Sequence, residues 1–171
     1  MTTEPKKTID QIVDEVGKYP IDAFAFVQEC IGTASEKVHG PLTPAATSVA
    51  KWMAKANVDL DELQHLNETG NLPSEMVNAL NEAGGAAVMN RHVTGAQLCW
   101  AIRDVAIERW GRLARTVLDH WNLNRTEDIG EIIFALVNSD WLQKQPTDQI
   151  ADFAGVYPFD LAFSPDYKPS R

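Results

Sequence analysis

Residues 91–145 read RHVTGAQLCWAIRDVAIERWGRLARTVLDHWNLNRTEDIGEIIFALVNSDWLQKQ. Thr94 followed by Gln97 has the spacing of a reciprocal helix cap, in which the hydroxyl takes one orphan amide and the glutamine side chain takes another. Leu98, Ile102, Val105 and Ala106 then recur at the period of one helix face, up to Trp110 and Gly111. A second helix is predicted through Leu113, Ala114, Val117, Leu118 and Trp121. Residues 122–125 read as a tight connection, and Thr126 is expected to cap a third helix whose apolar face is Ile129, Ile132, Ile133, Leu136 and Val137. Leu98, Ile102, Val105, Leu113, Val117, Ile129, Ile132, Ile133 and Leu136 are accordingly expected in one core.

After Trp141 the pattern changes. The stretch WLQKQPTDQIADF holds a Pro-Thr-Asp turn in its middle and is compatible with a short β-hairpin. Three helices followed by a hairpin give the fold expectation: a mainly α protein, a helical domain whose C-terminal half is winged-helix-like.

Upstream, Thr8 and Gln11 repeat the capping spacing ahead of Ile9, Ile12, Val13 and Val16, with Gly17 as the stop. From Ile21 to Val38 the apolar residues Phe24, Phe26, Val27, Cys30 and Ile31 cover more than one stripe, as in a helix buried on most sides. Residues 1–40 therefore read as a helical pair packing on the C-terminal half. Residues 41–90 read as an insert of three short helices, opened at Thr43 with Pro44, at Asp59 with Glu62, and after Pro73. Their modest apolar content suggests a segment that packs on the main body or serves as a mobile arm, rather than a unit folding alone. Residues 91–163 form the expected helical core, closed by an aromatic tail of Val156, Tyr157, Phe159, Leu161 and Phe163 docked against Phe24 and Phe26. Residues 164–171 are expected to be disordered.

The segments KYPIDAFAFVQE, HVTGAQLCWAIRDVAIERWGRLARTVLDHW, TEDIGEIIFALVNSDWLQK and DFAGVYPFDLAF resemble a family of short proteins of unknown function found mainly in planctomycetes and verrucomicrobia. The resemblance covers roughly residues 8–36 and 91–163 and leaves the insert out. It implies a bacterial origin and the boundaries of the helical core; it carries no catalytic residue, cofactor or activity.

The net charge is −9 with a sequence pI near 4.8, which repels phosphate backbones at long range and disfavours general nucleic-acid affinity. The first 90 residues hold six lysines, no arginine and thirteen acids, so most of the acid excess lies there. No apolar run approaches the ~18 residues of a membrane span, and MTTEPKKTID has no apolar stretch behind its lysines, so no membrane association and a cytoplasmic location are expected. Cys30 and Cys99, far apart within helical patterns, read as buried free thiols.

Arg103, Arg109, Arg112 and Arg115 lie on two adjacent predicted helices, and such a cluster could hold a phosphate or a nucleic-acid backbone. Asp104, Glu108 and Asp119 are interspersed, so ion pairing is the plainer reading. The third helix, which would be the recognition helix of a winged helix, presents Glu127, Asp128 and Glu131 and no cation, which argues against DNA reading. Glu62 and His65 have the Glu-x-x-His spacing of di-iron bundles, but no second copy exists, so a solvated helix face is expected and no metal or cofactor is assigned. His39, His92 and His120 are scattered, and Asp119 and His120 diverge by ~100° on a helix. Trp100 lies off the Leu98, Ile102 and Val105 face and is the candidate for an exposed interface tryptophan. These features favour a non-catalytic interaction or adaptor protein binding another protein, with a surface at Trp100, Arg103, Arg109, Arg112 and Arg115. A homo-oligomer stays open, and the alternative is a winged-helix-like nucleic-acid or nucleotide binder.

Overall fold

The computed structural model describes residues 6–168. Its helices are α1 (Ile9–Val16), α2 (Ile21–His39), α3 (Pro44–Ala56), α4 (Leu60–Glu68), α5 (Ser74–Ala83), α6 (Gly95–Trp110), α7 (Ala114–His120), α8 (Thr126–Asn138) and α9 (Phe159–Ala162). Short 3₁₀ turns stand at Ala86–Met89, Gly111–Leu113 and Ile150–Phe153. The mainly α expectation holds, and no helix of the described residues is long and apolar enough to cross a membrane. The chain divides into two compact units, one of Met1–Ala34 with Val93–Arg171 and the other of Ser35–His92. The division falls inside α2.

In the first unit, both predicted reciprocal caps form. Thr8 accepts from the Gln11 amide while Gln11 accepts from the Thr8 amide, and Thr94 and Gln97 do the same at α6. Gly17 ends α1 at φ 63°, a conformation glycine adopts without strain. The core holds Phe24, Phe26, Val27 and Cys30 of α2, Leu98, Cys99 and Ile102 of α6, Leu118 of α7, and Ile129, Ile132 and Leu136 of α8. Tyr157, Phe159 and Phe163 of the tail belong to the same core as Phe24 and Phe26.

Three expectations are corrected by this packing. Leu113 is not in the core but 65% exposed, and Val117 is only half-buried, whereas Val105 and Ile133 pack, partly buried, against the core as expected. Gly111, at φ 54°, opens a 3₁₀ turn that resets the helical phase, so Ala114 and Leu118 face inward instead. Thr126 is not a cap: it is the first residue of α8, buried, and its hydroxyl accepts from the Val156 amide. The cap comes from Asp128, whose Oδ2 accepts from the amides of Asn124 at 2.8 Å and Arg125 at 3.1 Å.

The hairpin is not present, because the described residues contain no strand. Asp148 Oδ2 accepts from the Gln145 amide and Asp152 Oδ2 from the Gln149 amide, so side-chain carboxylates take amides that a ladder would have used. The chain folds into a turn and a 3₁₀ segment that delivers Phe153 onto α8. The tail is also more ordered than expected. In residues 164–168, the Tyr167 amide donates to the Ser164 carbonyl, while residues 169–171 of the expected disordered end lie outside the described residues.

The second unit has its own apolar centre of Val49, Leu63, Leu72 and Leu80. Thr43 caps α3 with Pro44 at its first turn, and Asp59 caps α4 through the Glu62 amide. The ends of this unit are clasped: Arg91 Nη2 donates to the Gly40 carbonyl, Ser35 Oγ donates to the Arg91 carbonyl, and His39 Nε2 lies 2.7 Å from the His92 carbonyl oxygen. Glu62 and His65 are both exposed, and no group of three or more metal-ligating side chains occurs among the described residues.

Candidate functional site

The four arginines singled out from the sequence have four different surroundings. Arg103, on α6, has a side chain only 12% exposed. Its Nε donates to the Ala162 carbonyl at 2.7 Å and its Nη2 to the Tyr167 carbonyl at 3.4 Å, so it pins the C-terminal segment to α6. Arg109 makes a two-pronged pair with Glu29 of α2 and lies 5.6 Å from the ring centroids of both Phe26 and Trp110. That hydrogen-bonded guanidinium holds the Glu29 carboxyl below its ordinary value.

Arg115, on α7, stacks over Phe159 at 5.4 Å, and its Nη2 reaches Asn124 Oδ1 at 3.2 Å and Asp160 Oδ1 at 3.5 Å. Its Nη1 is buried without a hydrogen-bond acceptor, Asp119 being 3.7 Å away. Arg112, in the 3₁₀ turn before α7, is exposed and has no hydrogen bond or ion pair among the described residues. Only Arg112 and Arg115 come together. They line an open cleft of about 430 Å³ with Asp160, Phe163, Ser164 and Asp166.

Trp100 is half-buried rather than exposed, with its ring centroid 4.8 Å from that of Tyr157. Trp110 and Trp121 meet edge-on at 5.5 Å and both contact Phe26. These aromatics are therefore part of the unit's packing.

Asp128 and Glu131, which the sequence reading placed on an outward face of the third helix, belong instead to a polar centre that joins the α1–α2 connection to α8. Tyr19 Oη lies 2.7 Å from both Asp128 Oδ1 and Glu131 Oε2, and the Lys18 ammonium is 3.0 Å from Asp128 and 3.2 Å from Glu131. The Asp128 side chain is 3% exposed. Burial works against its charge, but the Asn124 amide, the Tyr19 hydroxyl and the Lys18 ammonium outweigh it and hold the carboxyl below its ordinary value. Burial, followed by the two carboxylates, pushes the Tyr19 hydroxyl well up. Asp128 spends both oxygens on this network and its cap, so the arrangement is a structural bolt. A second open cleft, about 490 Å³, borders it and is lined in part by Lys18, Tyr19, His120 and Trp121.

Cys30 and Cys99 are buried and outside any disulfide, as the sequence suggested, and burial pushes the Cys99 thiol far up, which leaves little nucleophilic thiolate.

The residues that sequence reasoning missed are on α9 and just beyond it. Leu161 is 59% exposed, although it was expected to dock with the other tail apolars. In PFDLAF, Phe159, Ala162 and Phe163 are buried, at i, i+3 and i+4 of a helical turn. That period places Leu161 outside and could have been recognised in the sequence. No family model, no curated protein and no solved structure matches this chain.

Proposed function

We propose that this protein is a non-catalytic interaction protein that docks a segment of another protein on the surface formed by the Gly111–Leu113 turn, the start of α7, and α9. The observation that carries this reading is the exposure of Leu113 and Leu161, at 65% and 59% the most exposed large hydrophobic side chains of the described residues. Each is embedded in a segment that lines the Arg112–Arg115 cleft: Leu113 follows Arg112, and Leu161 stands between Asp160 and Phe163. Apolar side chains next to a cleft with a guanidinium that has no ion pair among the described residues match the mixed chemistry of protein interfaces. The surface is thus smaller than the one outlined by the sequence. It keeps Arg112 and Arg115 and drops Trp100 and Arg103, whose side chains serve packing and anchoring of the tail, and Arg109, whose guanidinium is paired with Glu29.

Nucleic-acid binding is the weaker reading. Arg103, Arg109 and Arg115 already have partners, and α8 carries Glu127, Asp128 and Glu131 with no lysine or arginine. The experiment is site-specific photo-crosslinking in the source cells with a benzophenone amino acid at position 113 or 161, and at exposed Lys51 as control. A discrete cross-linked protein at 113 and 161, reduced by Leu113→Glu or Leu161→Glu at the partner position, is expected. Labelling at 113 and 161 no greater than at 51 would end this reading, and a product twice the chain's own mass would identify the partner as a second copy.

A further inference from the structure

We propose that the Arg112–Arg115 cleft is a carboxylate-binding site, and that Asp160 sits in it as a tethered stand-in which an acidic side chain of the partner displaces. The inference rests on the interaction reading above and names the chemistry of the docked segment.

Arg115 is pre-positioned to receive such a group. Its guanidinium carbon lies 5.4 Å from the Phe159 ring centroid and its Nη2 is held by Asn124, so the donor costs little ordering at the moment of binding. Arg112 supplies a second guanidinium whose donors are unused among the described residues, and the Ser164 hydroxyl in the same cleft is likewise unengaged. Arg115 Nη1 is buried without a hydrogen bond, with Asp119 3.7 Å away, so the donor that a ligand displacing Asp160 would meet is Nη2.

Asp160 shows which ligand fits. Its side chain is 90% exposed and touches Arg115 only at 3.5 Å, the weak contact of a carboxylate held by solvent as much as by its partner. An incoming carboxylate that also reaches Arg112 would make the two-guanidinium contact that Asp160 does not make. The charge of the cleft sets the limit. Its two arginines stand against Asp160 and Asp166, with Asp119 3.7 Å from Arg115, so an incoming carboxylate replaces the charge of the displaced Asp160 one for one, whereas a phosphate dianion adds a charge beside the remaining carboxylates in a chain of net charge −9. Leu113 and Leu161, exposed in the two segments that line the cleft, are suited to an apolar residue near the acid in the partner segment. The site therefore selects an acidic-apolar peptide segment over a phosphorylated one or a nucleic acid.

The test is a ¹H–¹⁵N NMR titration of the full chain with three probes: N-acetylglutamate α-amide, which carries one carboxylate; its neutral glutamine counterpart; and phenyl phosphate. Saturable shifts at the Ser164 and Asp166 amides and at the Arg112 and Arg115 Nε–H groups are expected with the blocked glutamate and not with the glutamine. Phenyl phosphate should bind more weakly. Arg112→Gln, at an exposed residue with no partner among the described residues, should remove the response without altering the rest of the spectrum, and Arg112→Lys should retain part of it. Asp160→Asn should tighten glutamate binding by ~2- to 5-fold, the scale of one competing exposed ion pair. Equal shifts with glutamate and glutamine, tighter binding of phenyl phosphate, or weaker glutamate binding in Asp160→Asn would overturn the proposal. If cross-linking from position 113 persists in Arg112→Gln while the titration shows no glutamate response, the carboxylate site fails and the interaction surface stands. If the titration succeeds and 113 captures nothing, the reverse is true.

Discussion

Phe153 lies directly on Gly130: a Cβ added to Gly130 would come 2.9 Å from both Cβ and Cγ of Phe153. Gly130 has no side chain because the 3₁₀ turn at Ile150–Phe153 packs its aromatic ring against the α8 backbone. The colliding atoms are those nearest the Phe153 backbone, so a rotamer change cannot clear them. Gly130→Ala should destabilise the protein by ~1–3 kcal/mol, despite alanine's better helix propensity. Urea unfolding measures this, and a stability equal to or above that of the parent protein would show that the segment carrying Phe153 yields freely.

The Asp128 network has a definite pH signature. Its carboxyl is held below the ordinary value in the folded protein, so the folded state favours the ionised form. Its contribution is fully present above the unfolded carboxyl value of ~3.9 and is lost as pH falls through the lower folded value. Asp128→Asn should lower stability at pH 7 by ~1–3 kcal/mol, the scale of leaving buried partners poorly satisfied. The mutant should also show a shallower loss of stability below pH 4, measured by chemical melts from pH 7 to 2.5. Parallel stability–pH curves for the two proteins would show that Asp128 is not held in this way.

Burial distinguishes two residues that the sequence assigned to the same core. Ile132 is fully buried, and Ile132→Ala should cost ~2–5 kcal/mol. Leu113→Ala should stay within ~0.5 kcal/mol because the side chain already meets water. A loss above ~2 kcal/mol at Leu113 would show that the 3₁₀ turn does not direct it outward.

Two arginines of the same helix should respond differently to neutralisation. Arg109→Gln removes an exposed pair and should cost ~0–1 kcal/mol, less in high salt. Arg103→Gln strips donors from the carbonyls of Ala162 and Tyr167 and should cost ~1–3 kcal/mol. Faster amide exchange at Ser164 and Tyr167 should accompany the loss in Arg103→Gln but not in Arg109→Gln. Equal exchange in the two variants would mean that Arg103 does not anchor the tail.

What the sequence determined by itself was local. The pairs Thr8 with Gln11 and Thr94 with Gln97 satisfy each other across three residues, so their helix starts could be read directly. The period of Ile129, Ile132 and Leu136 likewise identified a buried face. What only the tertiary structure decided depended on partners far along the chain. Thr126 meets the Val156 amide thirty residues on, which leaves capping to Asp128. Asp128 is in turn buried because Lys18 and Tyr19, more than a hundred residues before it, supply the donors that an ionised carboxylate needs away from water. The paired arginines of the site follow the same rule: Arg115 and Arg112 share a cleft only because α9 folds back over α7, bringing Phe159 beneath one guanidinium and Asp160 beside it. Spacing along a helix specifies which residues share a face, but the element that covers that face is set by packing between distant segments, and that decides which charge is already paired and which leucine stays in water.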